Sequence, residues 1–414
     1  MIDFVYKRLF VIDPGLYKIS SHHYNHARLI YSAAKKKCLY VEVWGNRYVT
    51  FKNNDFKIFN KLKAKYYFKK AKGIFPISLI IKLIVNNLYM MLDLNRLKKV
   101  RDIKSSLIYF PNVDHSIFGG IILWCFLSRF SYKQFKIVCR WLNTYENSAL
   151  HYQFFIKMIF FIYGLFNRIY KGLLVLATET EYAREYFVKF AKTDFVTLPT
   201  PFDMLDFNEN IQQSRGKDKR VKKNICIAYL GSARSEKGFN CLPDIIELFY
   251  KNNQNFSWGT RFLIQCVFDE FDSNVEMIRQ SIGKLKVLRN RGFNISLIDK
   301  SLTINEYYYL LNKSDIILLP YDPRKYKYRG SGIFVEALAY GKFVIVPEGT
   351  SMAKEIVEQI NGLTFKFNNQ KNLVDIIYKA IDCYKRRIVQ RENIAFQVRE
   401  KHSNINFFKL LLSV

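Results

Sequence analysis

The spacings that build metal and disulfide sites are missing from this chain. Its seven cysteines are scattered: none forms a CxxC pair, and none stands near a histidine at metal-ligand spacing. A zinc site and a disulfide framework are thereby excluded, and an odd set of separate thiols fits a reducing, cytoplasmic setting. The amino-terminal MIDFVYKRLFVIDPG lacks the charged, then apolar, then small pattern of a secretory signal. There is no internal repeat and no low-complexity tract. Clean hydrophobic runs are absent too. The best, 74–92 and 154–176, are interrupted by Lys82, Asn86 and Asn87, and by Lys157, Asn167, Arg168 and Lys171. A spanning helix needs about 20 residues with few or no charges, so neither qualifies. Basic groups beside aliphatic and aromatic ones suit a helix lying on a membrane surface, or one packed inside an α/β domain.

Acid is also scarce. Against 65 Lys and Arg stand only 35 Asp and Glu, a formal charge of +30 over 414 residues. That balance calls for a polyanionic neighbour: nucleic acid, an acidic membrane surface or phosphate-bearing substrates. A compositional bias of the genome toward Lys, Ile, Asn, Phe and Tyr accounts for it equally well. Half the residues are apolar, which excludes disorder, and the length allows two cores.

What is present alternates strand and helix. RLFVID, CLYVEVWG, SSLIYFP, FKIVCRW and LLVLATE read as strands of a first half. ICIAYLG, RFLIQCVF, NISLID, DIILLPY and KFVIVPE read as strands of a second. Short β-rich runs separated by longer helical stretches imply parallel sheets in βαβ units. The polar, basic stretch 208–224 reads as a linker. The expected fold class is therefore α/β: two doubly wound Rossmann-like parallel-sheet domains facing a cleft. The first spans 1–207 and the second 225–395, and a C-terminal helix, 396–414, is expected to pack back on the first.

Two loops of the second domain invite an anion. YLGSARSEKGF places Gly231, Arg234, Lys237 and Gly238 just past the carboxyl end of its first strand. Two cations three residues apart there suit a diphosphate, although a solvated basic turn would look the same. YRGSGIFVEALAYGKFVIV places Arg329, Gly330, Ser331 and Gly332 before a helix and Glu336 within it. A small-residue loop feeding a helix start exposes several backbone N–H groups together, which suits phosphate. A carboxylate one turn further on can accept hydrogen bonds from ribose or sugar hydroxyls. A capped helix after a glycine-relieved turn is the plain alternative.

In this order the motifs resemble those of glycosyltransferase family 4, of the two-domain GT-B fold, over nearly the whole chain and most strongly from 225 to 365. The resemblance implies a nucleotide-sugar donor with its diphosphate on Arg234 and Lys237, its phosphates facing the loop and helix at 329–332, and its ribose on Glu336. A second glutamate, common in that family eight residues before the helix glutamate, is replaced here by Tyr328. No Asp-x-Asp pair stands at a strand end, so no metal and no other cofactor is expected. The resemblance also implies that the first-domain loop, here DPGLYKISSHHYNHA, helps shape the acceptor pocket, and His23 is the candidate general base there. His22, His23 and His26 equally suit the plain start of a helix. Residues 52–104 hold fourteen Lys or Arg against three Asp, which points to an anionic membrane surface and a glycan or lipid-linked acceptor. Lipopolysaccharide, O-antigen or capsule assembly at the inner face of the cytoplasmic membrane follows from that reading. A basic nucleic-acid-binding protein would share the charge, but motifs for nucleic-acid recognition are lacking. An epimerase or phosphorylase would share the fold.

Overall fold

Continuous apolar strands decide the architecture. In ICIAY, Ile225, Ile227 and Tyr229 enter one core while Cys226 and Ala228 enter another, so the strand is buried on both faces. Such strands belong to parallel sheets covered by helices on each side. The computed structural model describes residues 6–18, 22–37, 39–49, 51, 56–65, 77–99, 105–128, 135–146, 148–202, 224–252, 259–268, 274–386 and 388–414. The chain divides into two compact units, Met1–Pro201 with Asn404–Val414, and Phe202–Ser403.

In the first unit, strands β1 (Arg8–Ile12), β2 (Tyr40–Asn46), β3 (Ile58–Leu62), β4 (Ser106–Val113), β5 (Lys136–Trp141), β6 (Leu174–Thr178) and β7 (Val196–Thr197) form one sheet. Their order is β3-β2-β1-β4-β5-β6-β7, and every pairing is parallel. One face is covered by α1 (His22–Lys35) and the C-terminal helix Asn404–Ser413. The other face is covered by α2 (Ile77–Asn95), α3 (His115–Ser128), α4 (Leu150–Ile169) and α5 (Glu181–Ala191).

The second unit repeats the plan. Strands β8 (Ile225–Tyr229), β9 (Thr260–Gln265), β10 (Ile295–Ile298), β11 (Ile316–Leu318), β12 (Phe343–Pro347) and β13 (Gly362–Phe365) lie in the order β10-β9-β8-β11-β12-β13, all parallel. Around them pack α6 (Leu242–Asn252), α7 (Val275–Asn290), α8 (Ile304–Lys313), α9 (Gly332–Ala339), α10 (Gln370–Arg386) and α11 (Ile388–His402). In both sheets the strand order reverses beside the unit's first strand. Doubly wound sheets bind ligands at such a switch point, outside the carboxyl ends of the strands.

Three sequence expectations meet the structure differently. The apolar stretch 154–176 is not one segment: α4 ends at Ile169, Gly172 turns the chain at φ 78°, and β6 begins at Leu174. The expected final helix is two, with the change of unit falling between Ser403 and Asn404. The linker 208–224 lies outside the described residues except for Asn224. Among the described residues no helix is long and apolar enough to cross a membrane.

Candidate functional site

The switch point of the second sheet lies between β8 and β11, and the loops leaving these strands are tied to each other. The Asp322 N–H donates to the Glu236 carbonyl at 2.9 Å. Gly238, at φ 70°, lies so close to Pro320 that a Cβ there would meet the Pro320 carbonyl oxygen at 2.0 Å. Only glycine serves at that position, because both the conformation and the approach forbid a side chain. Gly231, at φ 97°, is held by its N–H donating to Gln265 Oε1 at 2.7 Å, and faces Ile333 of α9. The Ala233 N–H donates to the Val267 carbonyl at 2.7 Å. Both loops are therefore anchored by backbone.

On this frame the expected cations converge. Glu236 lies 3.7 Å from Arg234 and 3.5 Å from Arg329, so one carboxylate bridges a guanidinium from each loop. Lys237 is half-buried, with Nζ 5.6 Å from the centre of the Tyr321 ring. Burial, then the charges of Arg234 and Arg329, bring its pKa down to about 8, with Glu236 and Glu336 opposing. Arg329 Cζ lies 5.1 Å from the centre of the Tyr326 ring, and the Arg329 carbonyl accepts from Ser351 Oγ at 2.7 Å. Ser331 is the N-cap of α9, accepting from the Phe334 N–H at 3.4 Å. Gly332 is exposed, and a Cβ there would meet nothing within 4 Å. Glu336 accepts from the Tyr307 hydroxyl at 2.5 Å. Two arginines crowding a half-buried lysine, beside a helix start with open space over it, make an arrangement suited to an anion.

The switch point of the first sheet holds His23. Its Nδ1 lies 2.8 Å from Asp13 Oδ2 and 3.1 Å from Asn112 Nδ2. Asp13 directly follows β1, Asn112 belongs to β4, and the Asp13 carboxylate also accepts from the Gly15 N–H at 2.9 Å. A Cβ at Gly15 would lie 2.3 Å from the imidazole, so the ring rests directly on that backbone. Burial works against the imidazolium, but the charge and hydrogen bond of Asp13 outweigh it, and the His23 pKa is raised. A neutral ring so held keeps its proton on Nδ1 and its lone pair on Nε2, the arrangement of a general base. His26 serves the core, with Nε2 3.0 Å from the Tyr109 hydroxyl. The side chain of His22 lies outside the described residues.

Thus Gly231, Arg234, Lys237, Gly238, Arg329, Gly330, Ser331, Gly332 and Glu336 come together in the second unit, and His23 lies in the first. Four residues that sequence reasoning passed over complete the picture: Glu236 and Tyr307 in the second unit, Asp13 and Asn112 in the first. Among the described residues no three His, Cys, Asp or Glu gather as metal ligands.

Two parallel, doubly wound sheets make this a GT-B fold, and the solved structures similar to it are of that kind. Sucrose-phosphate synthase from Thermosynechococcus elongatus is 13% identical, with TM-score 0.64, covering 98% of this chain and 96% of its own. A UDP-forming α,α-trehalose-phosphate synthase from Burkholderia xenovorans is 11% identical, with TM-score 0.69 and 98% of each chain covered. Anabaena HepE, solved in complex with UDP, is 13% identical, with TM-score 0.59 and 98% of each chain covered. No family model matches the chain, and no curated protein matches it.

Proposed function

We propose that the protein is a glycosyltransferase that moves a sugar from a nucleotide-diphosphate-sugar donor to a hydroxyl of a glycan acceptor. The observation that carries this reading is the cation group at the second unit's switch point, where Arg234, Lys237 and Arg329 converge from two anchored loops. Departure of the sugar leaves negative charge on the diphosphate, and cations preorganised around it stabilise that charge without reorganisation. On this reading they do so without a metal or other cofactor. Glu336, steadied by the Tyr307 hydroxyl, receives the ribose. His23, oriented by Asp13, takes the proton of the acceptor hydroxyl. The fold shared with a UDP complex supports a nucleotide diphosphate as the donor's handle.

The cationic balance of the chain supports a lipid-linked or cell-envelope acceptor, of the lipopolysaccharide, O-antigen or capsule kind, met at the inner face of the cytoplasmic membrane. A panel of nucleotide sugars, followed by melting temperature, tests the reading. A donor at 100 times its dissociation constant stabilises by about 2.7 kcal/mol. Stabilisation by RNA but by no nucleotide sugar would refute it.

A further inference from the structure

Helix α2 is apolar on its inner and outer sides alike. Leu83, Met90 and Leu94 face inward together with two hydrogen-bonded polar residues, Asn86 and Asp93, while a second apolar row faces solvent. Asn86 is buried, donating to the Ser116 carbonyl at 2.9 Å and bonding both the N–H and the carbonyl of Lys65 at 2.8 Å. Asp93 is 1% exposed and accepts from the N–H groups of Lys63 and Ala64 at 2.6 and 3.0 Å. The outward row runs Ile81, Ile84, Val85, Leu88 and Leu92, of which Ile84 is 56% exposed. A surface helix in water keeps its outer face polar.

Its neighbours extend the pattern. A Cβ at Gly120 of α3 would lie 2.1 Å from the Asn87 carbonyl oxygen, so α2 and α3 pack backbone to backbone. Phe118 of α3 meets Tyr163 of α4 at 5.8 Å between ring centres. Exposed Leu123, Phe126 and Leu127 continue the outward surface on α3. Helix α4 carries apolar residues on both sides: Tyr152, Ile156, Phe160 and Tyr163 enter the core, and Phe154 and Phe161 are 71% and 66% exposed opposite them. Single exposed apolar residues need no explanation, but rows on three adjacent helices mark an interaction site.

Charge identifies the occupant. Across α2, α3 and α4 the only acid is Asp93, which is buried, whereas Lys82, Lys157 and Arg168 are exposed. Lys98 and Lys99, also exposed, follow α2 directly, whereas Arg96 is turned to Asp93 at 3.8 Å. A second copy of this surface would bring cations against cations with no carboxylate to pair them. We propose that this three-helix face of the first unit seats on an anionic lipid bilayer. The apolar rows enter the acyl boundary, and the lysines and arginines reach up to the lipid phosphates. The assignment rests on the first unit alone, whatever sugar the second one handles.

Co-flotation of the full chain with phosphatidylcholine vesicles, with and without phosphatidylglycerol, tests it. The chain is expected to float with the anionic vesicles and to be released by high salt. The double variant Ile84→Glu, Phe161→Glu is expected to lose at least tenfold in partitioning, and Lys157→Gln about fivefold. Both keep an unchanged melting temperature and response to nucleotide sugar, because the altered residues are exposed. Equal flotation with neutral vesicles, flotation unaffected by the double variant, or a dimer that the double variant dissociates would each overturn the proposal.

Discussion

Replacing Lys237 by Met should erase a pH dependence of donor binding that the structure builds in. Burial and two nearby arginines bring this ammonium from 10.5 down to about 8. A diphosphate beside it reverses the balance and restores a pKa near the ordinary value of about 10.4, so binding takes up a proton. With one linked proton, affinity falls about tenfold between pH 7 and pH 9, and uptake approaches one proton at the upper end. Isothermal calorimetry in buffers of different ionisation enthalpy reads both quantities. The donor's own base also titrates toward pH 9, so the meaningful number is the difference between the chain and Lys237→Met. The sign for stability is the opposite of the sign for binding. A lysine whose folded pKa is depressed costs stability wherever it is charged, so at pH 7 the Met variant should melt higher while binding donor more weakly. A variant that binds more weakly with the same pH slope as the parent refutes the argument.

Three further outcomes follow from named contacts. Glu336→Ala should lower donor affinity tenfold or more and Glu336→Gln by less, because hydrogen bonds to a charged group contribute about 1.5–3 kcal/mol; a loss of melting temperature with affinity intact would make Glu336 a helix residue only. Asp13→Asn removes the charge that raises the His23 pKa, so the acid limb of the rate profile should move to lower pH as the maximal rate falls; a limb that stays in place excludes His23 as base. His115 is buried with its pKa brought down to about 4, so its contribution is complete above its unfolded value of 6.5 and is lost as pH falls toward 4. That loss amounts to about 3 kcal/mol, and His115→Gln should flatten it in urea unfolding at pH 7 and pH 4.5; equal acid sensitivity in both proteins contradicts the assignment.

Ten strands were legible because Val, Ile, Leu and aromatic residues dominate short runs, as in RLFVI and FVIVP. Strands β3 and β13 were not, since IFNKL carries Asn60 and Lys61 and GLTF is only four residues long. Strand β7, of two residues, carries no pattern to read. The cations after β8 stood out from their place at a strand end, whereas Glu236 looked like any solvated acid until Arg329 reached it from another loop. Asp13 looked like part of a Pro-Gly turn, because its partner His23 comes ten residues later and Asn112 comes from a strand 89 residues beyond that. Which face of α2 turns inward could not be read from ISLIIKLIVNNLYMMLDLN, because the hydrogen-bond partners that bury Asn86 and Asp93 lie on other segments.

Backbone amide hydrogen exchange with and without a saturating nucleotide sugar reads out whether the donor diphosphate binds at the loops after β8 and β11. Slowed exchange should concentrate in 231–238 and 329–336, the loops that carry Arg234, Lys237 and Arg329. Binding that leaves both loops exchanging at their original rates, while other segments become protected, would contradict it.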